Sequence, residues 1–504
     1  MLARRFLSSA ASLPPTIRQL LSHPPAPSAE AIHVNGWVKS IRKQKQLVFA
    51  VISDGSSEAG LQAVFKDVTL AKRLTNGASV RVSGTLTDSR GAGQAKELLV
   101  SDVEVIGECD PKTYPMQKQA LTVEYLRDHC HLRARTNEIG AMLRLRDTTT
   151  RVLNDYFQVG QHFSFMSRAY SCSQNNGFVH IHTPIITSND CEGAGETFRI
   201  VASSDSPSLS SSTTTQIAPA PPTTDASPSE YFNHPAYLTV SSQLHLEAVA
   251  SAISRVYTLS PCFRAERSQT SRHLAEFWML EAEWAFTSSV EDICAGVEGA
   301  LRAVLRAHLD SPDMAALHRG KPHDRRPELA ALADAPQPWT RMTYTEAIAA
   351  LEAHHATRAF TFAPAWGRAL QSEHERWLAD ELVRGPVFVT DYPAELKPFY
   401  MRANDDAVGA QGPTVACFDL LIPGLGELVG GSLREERLKL LEAAIERHGL
   451  DKADYAWYMD LRKYGGAPHG GFGMGFERLI SWISGIESVR ECVAMPRWAG
   501  RMLL

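Results

Sequence analysis

The 504-residue sequence predicts an α+β protein: a small N-terminal β-barrel of the OB type, then a larger domain mixing helix and strand. Three observations carry this expectation. Between residues 32 and 106, short apolar runs with period-two alternation are separated by turn residues, the pattern of a small closed barrel. Pro111 and Pro115 then mark a linker, set at 111–136. From Glu138 to Phe157 the period becomes helical, through Ile139, Met142, Leu145, Val152 and Tyr156, and helix and strand signals mix thereafter. The barrel is assigned to residues 30–110 and the larger domain to 137–504.

The barrel strands are read from His33–Ile41, Leu47–Ile52, Leu61–Phe65, Ser79–Leu86 and Glu97–Ile106, with the turn Ser53-Asp-Gly-Ser56 after the second. Ahead of them, residues 1–29 hold Arg4, Arg5 and Arg18 but no acid, with five interspersed serines and Leu2, Phe6, Leu7, Leu13, Ile17, Leu20 and Leu21 available for one helical face. That basic, Ser-rich, amphipathic composition is expected of a mitochondrial transit peptide and predicts the matrix as destination. A basic tail on a cytosolic protein is the alternative. Residues 203–229 are a run of Ser, Thr and Pro with too little apolar surface to offset ordering, and are expected to form a disordered insertion.

Composition narrows the function classes. With 44% hydrophobic and 21% charged residues, the chain is neither disordered, nor fibrous, nor a disulfide scaffold. A run of about 18 apolar residues is absent, so no membrane partner is expected. The net charge of −5 argues against a purely electrostatic nucleic-acid binder and leaves room for a local basic face. Eight scattered cysteines form no Cys-x-x-Cys pair, which speaks for reduced thiols.

Three segments carry chemistry. Arg264-Ala-Glu-Arg-Ser-Gln-Thr-Ser-Arg-His-Leu-Ala-Glu-Phe277 alternates cations and carboxylates between two β-type stretches, as a hairpin holding polyphosphate would; a solvated hairpin is the plainer alternative. Phe418–Arg437 places Asp419 and Glu427 on an apolar run, where paired carboxylates suit a hard Mg²⁺ ion with substrate phosphates; the alternative is an internal ion pair to Arg434. Gly465–Ile480 is glycine-rich before a helix starting near Phe476, but matches no phosphate-loop pattern; its glycines could instead allow close backbone packing.

The order of these segments, after Phe178-Val-His-Ile-His-Thr-Pro184, resembles the three signature motifs of class II aminoacyl-tRNA synthetases. The N-terminal barrel points to their aspartate–asparagine–lysine subgroup. Cys191-Glu-Gly-Ala-Gly-Glu196, Thr239–Glu247, Thr270–Trp278, Gly385–Pro393 and Gly426–Ser432 look like asparaginyl-tRNA synthetases, and the resemblance spans 32 to 497. It implies a class II catalytic domain, an antiparallel sheet flanked by helices, working as a homodimer. The implied reaction uses ATP and Mg²⁺ to join asparagine to tRNA(Asn) through an adenylate.

By that resemblance Arg264 and Arg478 are catalytic. Arg264, Glu266, Arg272, His273, Phe277, Glu427 and Arg478 bind ATP, with Phe277 stacking on adenine, and Asp419 and Glu427 hold the metal. Glu192 and Gln243 receive the amino group, and Glu247 and Arg434 read the side-chain amide. Phe49 and Gln62 contact the anticodon, with Lys39, Arg42, Lys43 and Lys45 near phosphates; taken alone, Phe49 would read as barrel core. Aspartyl relatives place a Lys where Leu246 stands, which argues against an aspartyl or non-discriminating enzyme. The intact ATP-site residues argue against a non-catalytic tRNA-binding paralogue. Two departures stand out. Leu433 replaces a usual Gln, and Val159–Ser173 interrupts the first motif. The second is expected to be retained intron translation or a gene-model error, with a genuine loop as the alternative; a native peptide spanning Phe163–Tyr170 decides for the loop.

Overall fold

The computed structural model describes residues 13–25, 31–89, 91, 94–117, 119–158, 176–188, 196–201, 230–321, 323–405 and 411–504. Glu192, the stretch 159–173 and the insertion 203–229 lie outside the described residues. The chain divides into two compact units, Met1–Leu145 with Ser311–Arg319 and Leu503–Leu504, and Arg146–Asp310 with Gly320–Met502. The stretch expected as a linker, 111–136, carries the helix Val123–Asp128 and falls within the first unit.

In the first unit, β1 (Ile32–Lys43), β2 (Val48–Ser53), β3 (Leu61–Phe65), β4 (Ser79–Asp88) and β5 (Lys96–Gly107) close into a barrel in the order β1-β2-β3-β5-β4. A parallel β3–β5 pairing, Ala63 opposite Leu98, makes the closure. Period two decides which side chains enter. Val48, Ala50 and Ile52 pack inward with Val34, Leu61, Phe65, Val80 and Leu98, so Phe49 and Val51 face out.

The helix α1 (Ile17–Ser22) lies within residues 1–29 and packs on the barrel. Ile17 is 1% and Leu20 6% exposed, both within the barrel core. The helix is capped at its start by a reciprocal pair: the Thr16 hydroxyl accepts from the Gln19 amide at 3.2 Å, and the Gln19 side chain accepts from the Thr16 amide at 2.8 Å. Two more first-turn amides reach the barrel, Ile17 to Asp54 at 2.8 Å and Arg18 to Ser56 at 3.0 Å. A barrel starting at residue 30 would lose these core side chains.

In the second unit, β6 (Val179–His180) precedes a small sheet of β7 (Ile186–Thr187), β8 (Arg199–Ile200) and β9 (Ala236–Leu238). The main sheet adds β10 (Arg255–Phe263), β11 (Glu276–Ala285), β12 (Thr340–Thr343), β13 (Val387–Thr390), β14 (Cys417–Ile422), β15 (Gly426–Leu433) and β16 (His469–Gly475). Its eight strands run β12-β13-β14-β15-β16-β11-β10-β6, antiparallel except for the pair at each end. Helices Val290–His308 and Phe476–Ser484 pack on it through apolar faces that include Ile293, Val297, Leu301, Ile480 and Ile483.

The glycine-rich segment is thus a strand, wedged between β11 and β15. A Cβ at Gly471 would lie 2.2 Å from the Ala282 carbonyl and 2.1 Å from a Glu283 carboxylate oxygen, so close backbone approach, not phosphate binding, explains these glycines. For the first unit, Ile17→Ala is expected to lower stability by about 2–5 kcal/mol, as for other buried aliphatic truncations. Urea unfolding of the full chain checks this; an unchanged midpoint would mean that α1 rests on the barrel without supporting it.

Candidate active site

The β10–β11 hairpin and the β16 strand that pairs with it bring the predicted residues together. Cys262 opposes Phe277 and Met279 opposes Gly475, so the loop from Arg264 to Ala275 rises beside the start of helix Phe476–Ser484. Arg264, Glu266, Arg272, His273, Phe277, Glu427 and Arg478 line one cavity of about 160 Å³. The Arg264 guanidinium lies 5.5 Å from the centre of the Phe277 ring. Glu266 sits 4.0 Å from Arg264 and 3.5 Å from His273. Arg478 donates to the Glu427 carbonyl at 3.0 Å and stands 3.7 Å from its carboxylate. Burial and the nearby Arg478, Arg264 and Arg272 lower the His273 pKa, with Glu266 opposing, so at neutral pH His273 offers a hydrogen bond and not a charge. One nitrogen of Arg272 is buried with no hydrogen-bond partner, a donor suited to an anion.

A second cavity of about 210 Å³ shares Arg264, Met279, Glu427 and Gly473 with the first. Alternation along β11 turns Met279, Glu281 and Glu283 into it, and Ser241, Gln243 and Leu246 come from the start of helix Gln243–Ala250. Glu281 accepts from the Ser241 hydroxyl and, at 2.9 Å, from the Ser242 amide. At the other end, Arg434 donates to Glu283 at 2.9 Å and to Ser432 at 2.7 Å. Burial raises the Glu283 pKa against the pull of Arg434.

Glu247 is corrected. It does not line this cavity, and its carboxylate is taken up by Tyr458 at 2.6 Å, Arg462 at 2.8 Å, His469 at 3.0 Å and Gln243 at 3.1 Å. Burial alone would raise its pKa; Arg462, His469 and Arg434 outweigh burial and hold it well below the usual carboxylate range. The acceptor that faces the cavity beside Arg434 is Glu283. In sequence it is one of two alternating acids in Glu281-Ala-Glu283; strand period two was the available signal.

Asp419 and Glu427, the expected metal pair, both line the second cavity. An ideal Cβ at Gly430 would lie 3.6 Å from an Asp419 oxygen and 3.4 Å from a Glu427 oxygen, so the bare glycine leaves a gap between them. Hard carboxylate oxygens around such a gap fit Mg²⁺. Asp419 is not free, however: Lys397 donates to both its oxygens, at 2.9 and 2.7 Å. Burial opposes the Lys397 charge, but Asp419 and Glu427 outweigh it and raise its pKa. Sequence reading missed Lys397, which sits in a loop with no motif of its own.

On the barrel, Phe49 opposes Val64 and Val51 opposes Gln62, which puts Phe49 and Gln62 on one outward face, with Arg42 directly across from Phe49. Phe49 is therefore not core. Lys39, expected near phosphates, instead donates to the Glu58 carbonyl at 2.6 Å; Lys43 and Lys45 are exposed.

Residues 123–499 match the family model for class II tRNA synthetases of the D, K and N type, and residues 32–106 that for the OB-fold nucleic-acid-binding domain. The chain belongs to the class II tRNA synthetases. Within that class it is similar to the asparaginyl-tRNA synthetase of Mus musculus, 43% identical over 94% of this chain and 91% of that one. It is equally similar to the asparagine–tRNA ligase of Thermosynechococcus vestitus, 43% identical over 94% and 96%. The Pyrococcus horikoshii asparaginyl-tRNA synthetase, solved as its complex with asparaginyl-adenylate, superposes with a TM-score of 0.74 at 28% identity, over 94% of this chain and 96% of that one.

Glu247→Ala is expected to cost about 3–5 kcal/mol, because Arg462 and Arg434 then share too few buried counter-charges. Its depressed pKa gives a sign: this stability is complete above the unfolded-state carboxylate pKa and is lost as the pH falls toward the folded value. Chemical denaturation of wild type and variant across acid pH checks both statements; equal stability at neutral pH would remove Glu247 from the network.

Proposed function

We propose that this chain activates asparagine with ATP and transfers it to tRNA(Asn) in the mitochondrial matrix. The single observation behind the chemistry is that two cavities, one built for a polyphosphate and base and one for a small zwitterion, share Arg264 and Glu427. That shared wall is where an amino-acid carboxylate meets an α-phosphate.

In the first step a carboxylate oxygen of asparagine attacks the α-phosphorus, and the bond to pyrophosphate breaks. Arg264, reaching both cavities, binds the carboxylate and the α-phosphate with one planar fork and so holds them in line. Arg272, His273 and Arg478 face the outer phosphates, and Phe277 gives the adenine a stacking surface. Asp419 and Glu427 would hold Mg²⁺, which when bound would supply counter-charge for the phosphates. Ser241, Gln243 and Glu281 receive the α-amino group. In the second step a ribose hydroxyl of the tRNA attacks the activated carbonyl and AMP leaves.

Asparagine and aspartate differ in hydrogen-bond polarity more than in shape. Arg434 donates toward the side-chain carbonyl, and Glu283, which accepts from an NH₂, repels a second carboxylate. The outward Phe49 and Gln62 serve the anticodon by stacking and hydrogen bonding.

The matrix destination is supported by the basic, acid-free start of the chain. N-terminal sequencing of the mature protein tests the leader at residues 1–29; an intact N-terminus would contradict it. We also propose a homodimer, supported by apolar side chains near the first motif that stand in water, Val179, Ile185 and Ile186 at 40–45% exposure. Sedimentation equilibrium giving one chain per particle would contradict it.

Arg264→Ala and Arg478→Ala are each expected to cut asparagine-dependent pyrophosphate exchange by on the order of 100- to 1000-fold, as loss of a transition-state donor does. Glu283→Gln is expected to reduce the preference for asparagine over aspartate by about ten- to a hundredfold, the range of one unsatisfied buried polar group. Exchange assays with both amino acids check these; near-wild-type exchange in either arginine variant would overturn the site assignment.

A further inference from the structure

The turn between β14 and β15, Pro423-Gly-Leu-Gly-Glu427, carries the metal-binding carboxylate at its end, and residues from distant elements pin it. The Gly424 amide donates to Asp380 at 2.7 Å, Arg325 donates to the Pro423 carbonyl at 3.2 Å, and the Glu427 amide donates to Glu375 at 3.3 Å. Asp380 and Glu375 lie on consecutive stretches of one segment, the short helix Ser372–Trp377 and the π-helical turn Leu378–Val383.

Glu375 has a second neighbour. Gly426 adopts φ +85°, and a Cβ there would lie 2.5 Å from a Glu375 oxygen and 3.5 Å from a guanidinium nitrogen of Arg272. Glu375 and Arg272 therefore both lie against the bare α-carbon of Gly426. Burial and the like charges of Arg376 and Arg478 work against the Arg272 cation, and Glu375 works for it. Neither sequence motifs nor the chemistry above uses Glu375.

We propose that Glu375 is a positioning residue for the Mg·ATP half of the site. Through the Glu427 amide it fixes where the Glu427 carboxylate points. It touches neither substrate. The asparagine half is anchored instead by Arg434, Glu283 and Glu281, which line the second cavity and not the first. The proposal rests on the reading of the site as ATP-dependent.

Glu375→Gln keeps an oxygen for the Glu427 amide; Glu375→Ala removes it. The test measures, for wild type and both variants, the KM for Mg·ATP and for asparagine in pyrophosphate exchange. It also measures Mn²⁺ bound in the presence of a non-hydrolysable ATP analogue, by electron paramagnetic resonance. The KM for Mg·ATP is expected to rise about tenfold or more in Glu375→Ala and by less in Glu375→Gln. Mn²⁺ binding should weaken in the same order, while the asparagine KM stays within about twofold. Equal effects on both substrates, or a loss of thermal stability with unchanged Mn²⁺ binding, would overturn the proposal as a general structural effect. If wild type binds Mn²⁺ with the analogue but exchanges pyrophosphate with no amino acid, the functional reading fails while the positioning of Glu427 is still decided by the Mn²⁺ measurement.

Discussion

The catalytic unit is organised around one buried cation. The Arg434 side chain is 3% exposed, and a guanidinium removed from water needs both counter-charge and hydrogen bonds. Glu283 supplies both at 2.9 Å, and Glu247 adds charge at 3.9 Å. Two buried acids this close then need a further cation, which is Arg462 on Glu247. The sheet must also pass β16 close beside Glu283, which leaves room for glycine alone at 471. The ion network and the glycine-rich strand thus accompany one arginine at the end of the second cavity. Glu247 acts at one remove: it adds counter-charge to the arginine that lines that cavity.

The second organising feature is the shared wall. Because Arg264 and Glu427 belong to both cavities, binding in one bears on charge in the other. Two anionic substrates approaching each other need cations between them, and the arginines of the β10–β11 loop and of helix Phe476–Ser484 provide these. Lys397 pairs with Asp419, whose pKa is raised by burial and by Glu427 against the pull of the Lys397 ammonium.

Much of this was legible in the sequence. Barrel strands, the hairpin and the helix after Gly475 followed from period and turn chemistry. Arg264, Phe277, Asp419, Glu427 and Arg478 were named from the order of three segments. What was not legible depends on tertiary distance. Glu247 and Glu283 are both acids near the amino-acid cavity, and only the packing of Tyr458 and Arg462, more than 200 residues away in sequence, removes Glu247 from it. Likewise, Ile17 and Leu20 read as part of a leader's apolar face, and their burial against the barrel was not legible in the sequence. Lys397 and Glu375 sit in segments whose local pattern is ordinary, so their roles exist only in the folded chain.

The central claim is that a buried Arg434–Glu283 pair makes the cavity fit an amide and reject a carboxylate. The most direct measurement is wild-type charging of tRNA with asparagine and with aspartate in parallel, at equal concentrations and with the same tRNA. The account predicts asparaginyl-tRNA with aspartyl-tRNA lower by orders of magnitude. Comparable yields of the two would show that the pair does not discriminate, and would contradict it.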